Sequence, residues 1–199
     1  MAAAGEGEHE ELDEELDEDE LDPEARAQID ARRRVALAQI RQYPDAVLRM
    51  RANEVDRFDE SLVRLADRMT GLMHDARGVG LAATQVGVLQ RLFVFQPGDE
   101  EEATAVVNPE IVSRSDETGL GDEGCLSLQG VNVPVERNLG ITLAGLDLEG
   151  KPISLELGEL AARVAQHELD HLDGVLIIER TDSESRREAL ATLRQRPSL

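Results

Sequence analysis

The 199-residue sequence predicts one α+β domain, with antiparallel or mixed β-sheets packed around a central helix. Three observations predict it. A helical pattern covers residues 59–76, short apolar runs separated by turn residues fill the middle of the chain, and a second helical pattern ends at Gly174. Strands followed by one helix, without strict β–α alternation, point away from a parallel sheet. A chain of this length is expected to form one domain with a sizeable core.

The first segment is acidic. Residues 1–24 hold thirteen Asp or Glu side chains and no Lys or Arg. Such a run cannot bury enough apolar surface to offset its ordering entropy, so a disordered extension is expected over residues 1–30. Ile29, Val35, Leu37 and Ile40 suit a short helix within residues 26–41, leading into a domain over 31–182. Asp56 or Asp59 can cap the next helix. Its Leu62, Leu65, Met69, Leu72 and Ala76 recur at intervals of three and four, the spacing of one buried face.

Val86 to Phe95, residues 104–107, Ile111-Val112, Val131 to Val135, Ile141 to Leu148 and Ile153 to Glu156 read as strands. Asn108-Pro109 is expected to separate the second from the third, and Gly145 and Gly150 mark a bulge and a turn. Leu160, Ala161, Val164, Ala165, Leu169 and Leu172 stripe the following helix, which Gly174 stops. Residues 183–199 form a terminal helix and tail whose Arg186, Arg187, Arg194 and Arg196 make a basic patch on an acidic protein.

The formal charge of −21 is unevenly placed, since the thirteen acids of residues 1–24 leave only −8 for the rest. One cysteine excludes an intramolecular disulfide and fits a reducing compartment. No apolar run of membrane length and no secretory leader pattern is present, so a cytoplasmic location is expected, with neither membrane nor DNA as partner.

The most informative stretch is His167-Glu168-Leu169-Asp170-His171. Helical residues four apart share a face, so both imidazoles point one way and make half of a metal site, with Glu168 beside them to handle the protons of a bound water. Of the other histidines, His74 falls near a helix end, where a solvated or dipole-favoured role is usual. Downstream of His171 no residue stands in a second metal motif. Upstream, Cys125 lies in the glycine-rich run Gly121-Asp122-Glu123-Gly124-Cys125-Leu126-Ser127. A lone cysteine is ordinarily a small buried hydrophobe. Beside an H-E-x-x-H helix, however, one thiolate and two imidazoles leave a fourth position for water, the layout of a catalytic site.

These residues resemble the peptide deformylases. Gly78-Val79-Gly80-Leu81-Ala82-Ala83-Thr84-Gln85 matches that family's G-x-G-x-A-A-x-Q segment, Glu123 to Ser127 its E-G-C-L-S, and Gln166 to His171 its Q-H-E-x-D-H, in the family's order. The resemblance runs from Tyr43-Pro44-Asp45 through Asn108-Pro109 to Arg180. Gln129 departs from it, standing where many members have proline; this bears on the strand after Ser127 and not on the metal ligands.

The resemblance implies the peptide deformylase fold and removal of the formyl group from the N-terminal formyl-methionine of new polypeptides, releasing formate. It implies one divalent ion on Cys125, His167 and His171, with Fe(II) the usual physiological metal and zinc a common occupant; the donor set also suits Ni(II) and Co(II). Glu168 serves as base and then acid. Gln85 through its side-chain amide and Leu126 through its backbone N–H are the implied donors to the formyl oxygen. Gly78 and Gly80 would leave an edge for strand addition by the substrate, and Val79, Leu81 and Val164 are candidates for the methionine pocket. Glu123 is expected to pair with Arg137 and brace the Cys125 loop. Asp170 is expected either to accept a hydrogen bond from an imidazole or backbone group, or to be a surface residue.

The implied partners are N-formylmethionyl nascent peptides and, through the basic terminal helix, ribosomal phosphates. Two alternatives remain at this stage: a metal-dependent deacylase of another small N-acyl group, and a non-catalytic relative that binds ribosomes or nascent chains. A metalloprotease is disfavoured by the missing downstream ligand.

Overall fold

A computed structural model describes residues 22–98 and 102–195. Seven strands, β1 (Gly80–Ala82), β2 (Leu92–Phe95), β3 (Thr104–Arg114), β4 (Thr118–Gly124), β5 (Asn132–Asn138), β6 (Gly140–Leu146) and β7 (Pro152–Gly158), are combined with four α-helices, α1 (Pro23–Gln39), α2 (Glu60–Asp75), α3 (Glu159–Leu172) and α4 (Ser183–Arg194). Five strands form an antiparallel sheet in the order β1-β2-β3-β6-β7, and β4 pairs with β5 in a separate two-stranded ribbon. The expected α+β class with antiparallel sheets is what the chain adopts.

Alternation along β1 and β2 explains the layers. Successive strand side chains point to opposite faces. Leu81, Leu92 and Val94 therefore meet α2 through Leu62, Met69 and Met73, whereas Ala82, Phe93 and Phe95 meet α3 through Ala162, Val164, Ala165 and Leu172. The sheet is thus covered by α1 and α2 on one side and α3 on the other. A third cluster joins Val131 and, from the ribbon, Val133 and Val135 to Leu176, Ile177 and Ile178 of the segment after α3 and to Ala189 of α4.

Asp59 caps α2, its carboxylate accepting from the Ser61 N–H at 2.9 Å, and Asp182 caps α4 by accepting from Glu184 and Ser185. Gly174 ends the α3 segment in the left-handed region (φ 75°), where an added Cβ would lie 2.6 Å from the Arg49 carbonyl oxygen. No helix among the described residues is long and apolar enough to cross a membrane.

Several local expectations change. The run from Val86 to Phe95 is strand only over β2; residues 83–86 form a 3-10 turn. Asn108-Pro109 does not separate two strands but lies inside β3 as a bulge opposite Gly145. Asn108 takes φ 49° there, and its side chain accepts from the Val55 N–H (2.8 Å) and donates to the Val55 carbonyl (2.9 Å). β4 was absent from the expectation because its Gly, Asp and Glu residues have no apolar period. α1 begins at Pro23, so the boundary expected at residue 30 falls within a helix, while residues 1–21 and Arg196 lie outside the described residues.

Two stability outcomes follow from these contacts. Asn108→Ala removes both bonds to Val55 and a side chain suited to positive φ, and should lower unfolding free energy by about 2 kcal/mol in denaturant titrations with an unchanged slope. Glu179 is the second case. Burial works to raise its pKa, but the Leu176 N–H and the Arg49 guanidinium outweigh burial and lower it below the usual value. A depressed carboxylate stabilises the fold above its unfolded pKa and loses that contribution as pH falls through the folded one. The melting-temperature gap between the wild type and Glu179→Gln should therefore be largest near neutrality and close in acid.

Candidate metal centre

The centre is assembled from α3 and the turn that follows β4. His167 and His171, one helical turn apart, place their rings 4.9 Å apart at an interplanar angle of 70°. Cys125 Sγ lies 3.2 Å from His171 Nε2. One donor atom from each of Cys125, His167 and His171 lies within 4.8 Å of the others. A thiol and two imidazoles converging this closely fit a tetrahedral divalent ion with a position to spare.

The turn is held from several sides. Leu128 N–H donates to the Cys125 carbonyl, Tyr43 N–H to the Ser127 carbonyl, and the Gln42 amide to the Leu126 carbonyl at 3.0 Å. Gln129 in turn donates to Gln42 Oε1 at 3.0 Å, so the residue that departs from the family pattern steadies the metal-bearing turn by a side-chain relay.

Behind the imidazoles sits a buried charge network. Glu123 accepts two N–H bonds from Arg137, each 2.9 Å, another from Arg163 at 2.9 Å, and lies 3.1 Å from His167 Nδ1. Gly121 leaves the room through which Arg163 reaches the carbonyls of Gly119, Gly121 and Val135; an added Cβ there would lie 2.9 Å from Arg163 Nη2. Burial alone would raise the Glu123 pKa, but hydrogen bonds from His167 and Arg137 prevail and hold it at about 2. The expected Glu123–Arg137 pair is present. Asp170 differs from expectation: it accepts from neither imidazole, but from Arg137 at 2.6 Å and Arg180 at 3.0 Å, because two guanidiniums offer it charged donors.

Around the donor cluster, Gln85 accepts from the Ala82 N–H at 2.8 Å and directs its amide Nε2 at Ser127 Oγ (3.2 Å) and Cys125 Sγ (3.7 Å). Glu168 is buried, and its Oε2, like His171 Nδ1, has no hydrogen-bond partner among the described residues. Burial pushes its pKa up to about 7, with His167 and Arg137 opposing and Glu123 reinforcing the rise. Burial also works to lower both histidines. In His171 it prevails, whereas Cys125 and Glu123 turn the balance upward in His167. Gly80 faces Glu168 directly: any Cβ there would collide with Glu168 Oε1 and come within 2.9 Å of Val164 Cγ1.

A cleft of about 990 Å³ opens beside these groups, bordered by Gln85, Cys125, Leu126, His167 and Glu168, with Val79, Gly80 and Val164. Leu81 is not among them. It is fully buried against α2, because the pleat sends it to the opposite face from Gly80 and Ala82, and the expectation that it lines the methionine pocket is corrected. Leu160 and Arg163 line the cleft and were missed. Their signal was present in the sequence, as each lies four residues before a site residue, Val164 and His167 respectively. His74 stands apart, bonded to Gln96 at 2.6 Å.

The sequence profile of the polypeptide deformylases matches residues 37–187. The chain belongs to that family. It is 44% identical over 162 residues to peptide deformylase 1 of Corynebacterium glutamicum, covering 80% of this chain and 96% of the relative. With the peptide deformylase of Thermotoga maritima it shares 47% identity over 141 residues, covering 71% and 85%. The crystal structure of a Thermotoga maritima peptide deformylase superposes with a TM-score of 0.70 at 46% identity, over 72% of this chain and 96% of that one. Peptide deformylase 1B of Arabidopsis thaliana, solved with an inhibitor, gives 0.74 at 40% identity, over 78% and 89%.

The network predicts a metal phenotype. Arg137→Ala removes the bidentate brace on Glu123, whose carboxylate orients His167, and should weaken metal affinity by about 10- to 100-fold in a chelator competition. Retention equal to that of the wild type would show that Glu123 needs no brace.

Proposed function

We propose that this deformylase removes the formyl group from the N-terminal formyl-methionine of newly made polypeptides, releasing formate. The observation that carries the reading is the convergence of Cys125, His167 and His171 beside a cleft that Glu168 borders and where Gly80 admits no side chain.

Cys125 Sγ, His167 and His171 would hold a divalent ion, and Fe(II) is the resident we propose, with Zn(II), Ni(II) and Co(II) accommodated by the same donors. When bound, such an ion supplies Lewis acidity, easing loss of a proton from water at neutral pH and polarising a carbonyl. Every other task falls to the chain. Glu168 Oε2 takes a proton from the attacking water and delivers it to the leaving amine nitrogen, suited to both by a pKa that burial holds high. Gln85 Nε2 and the Leu126 N–H donate to the formyl oxygen as negative charge gathers there; one such donor is worth about 3 kcal/mol. Glu123 holds His167 through Nδ1 and leaves Nε2 for the ion.

β1 is an edge strand of the sheet, and Gly78 to Gly80 border the cleft, so a substrate backbone can add along this edge. Pairing of that kind reads main chain and suits an enzyme that accepts many sequences. Val79, Leu160 and Val164 supply the apolar surface for methionine. Acting on nascent chains places the enzyme in the compartment of translation. As a finer partner reading, α4 buries Ala189 and turns Arg186, Arg187 and Arg194 outward, an arrangement that supports contact with ribosomal phosphates.

The test is anaerobic turnover of formyl-Met-Ala against acetyl-Met-Ala, with metal analysis of the same sample. The formyl peptide should be hydrolysed strongly in preference, and comparable rates would favour a general deacylase. Glu168→Gln should lower kcat by about 10²- to 10⁴-fold with metal retained, and Gly80→Ala by about 10²-fold through displacement of Glu168. Full activity in Glu168→Gln would remove the proton-transfer role.

A further inference from the structure

We propose that α1 forms a charge-selective outer wall of the cleft, where Arg33 and Arg34 favour acidic side chains in the substrate beyond its first two residues. The inference rests on the deformylase reading above and extends it to substrate preference.

Ala27, Asp30, Arg33, Arg34 and Leu37 of α1 all border the cleft that contains Cys125, His167 and Glu168. Ala27, Asp30, Arg34 and Leu37 recur at intervals of three and four, the spacing of a single helical face, and Arg33, three residues after Asp30 and four before Leu37, widens it. This face is held in place at two levels. Ala36 and Ile40 are buried with α2, and Leu37 packs against the same cluster. Just beyond the helix, the Arg41 N–H donates to the Gln85 carbonyl at 2.7 Å, tying the end of α1 to the turn that carries Gln85. The polypeptide deformylase profile begins at residue 37, so most of this wall precedes the part of the chain that the profile matches.

The charges on the wall have a sign. Arg33 and Arg34 are exposed and make no ion pair among the described residues. Among the described residues, the other acidic groups that border the cleft are Asp30 on α1 itself and Asp122 on β4, since Glu123 is already engaged by Arg137, Arg163 and His167. A peptide extended along β1 places its formyl end at the donor cluster and runs its later residues out through the same cleft. Carboxylates there meet guanidiniums, and ammonium groups meet the same charges with repulsion. Exposed pairs of this kind are individually weak and screened by salt, so two arginines amount to a change of about fivefold at low ionic strength.

The experiment uses the full-length, metal-loaded chain. kcat/KM is measured for formyl-Met-Ala extended by three Glu or by three Lys, and each value is divided by that for formyl-Met-Ala with the same protein. The expected result is a Glu-over-Lys ratio of about five that fades at high salt. R33K/R34K should keep that ratio, R33A/R34A abolish it, and R33E/R34E invert it. Equal rates in the wild type would overturn the proposal. So would a wild-type preference for Lys, which would give control of the rim to Asp30 and Asp122, or a Glu preference that R33A/R34A leaves intact. Absence of turnover on formyl-Met-Ala itself is a separate failure: it removes the activity, and this inference with it.

Discussion

The buried carboxylate of Glu123 is the contact on which the rest of the site depends. It receives three N–H bonds from Arg137 and Arg163 and faces the ring nitrogen of His167, joining the β4–β5 ribbon to α3 where the two carry the metal donors. Buried ion pairs seldom add much net stability, but removing one partner leaves an uncompensated charge at a cost of about 3–5 kcal/mol. The network therefore acts as a positional lock. Cys125, two residues after Glu123, and His167, bonded to it, have their separation set by one anion.

Asp170 extends the lock outward. It shares Arg137 with Glu123 and takes Arg180 as a second partner, so α3, β5 and the segment after α3 meet in one chain of charges. From there the chain turns past Gly174, whose close approach to Arg49 leaves no space for a side chain, into the apolar cluster beneath α4. The carboxyl-terminal third thus supplies His167 and His171 and also backs the ribbon whose connecting turn carries Cys125.

One face of α3 has opposed duties. Val164 packs on the sheet, while Glu168, one turn later, is held in the interior with one oxygen that has no partner among the described residues. That costs solvation and keeps the carboxyl protonatable near neutrality. The room comes from Gly80 on the facing edge strand, where the absent Cβ lets the sheet approach Glu168. One glycine accordingly sets the depth of the carboxylate.

Much of this was legible in the residues themselves. The α2 face, an Asp56 or Asp59 cap, the helical spacing of His167 and His171 and the stop at Gly174 follow from local period and capping, and the structure, which settles the cap on Asp59, repeats them; the expected Glu123–Arg137 pair is also present. Resemblance of three short motifs to peptide deformylases marked Cys125 as the third donor. Tertiary structure alone decided the rest. Leu81 belongs to the core because strand parity is set by pairing with β2, not by proximity in sequence to Gly80. β4 is a strand because its partner β5 and the guanidinium of Arg163 satisfy a segment with no apolar period. Asp170 meets arginines from residues 137 and 180, separations over which helical spacing carries no information. The docking of α1 on the cleft likewise depends on α2 and on the Gln85 carbonyl, neither of which its own sequence contains. Periodicity specifies which face of an element is apolar; only packing specifies what that face meets.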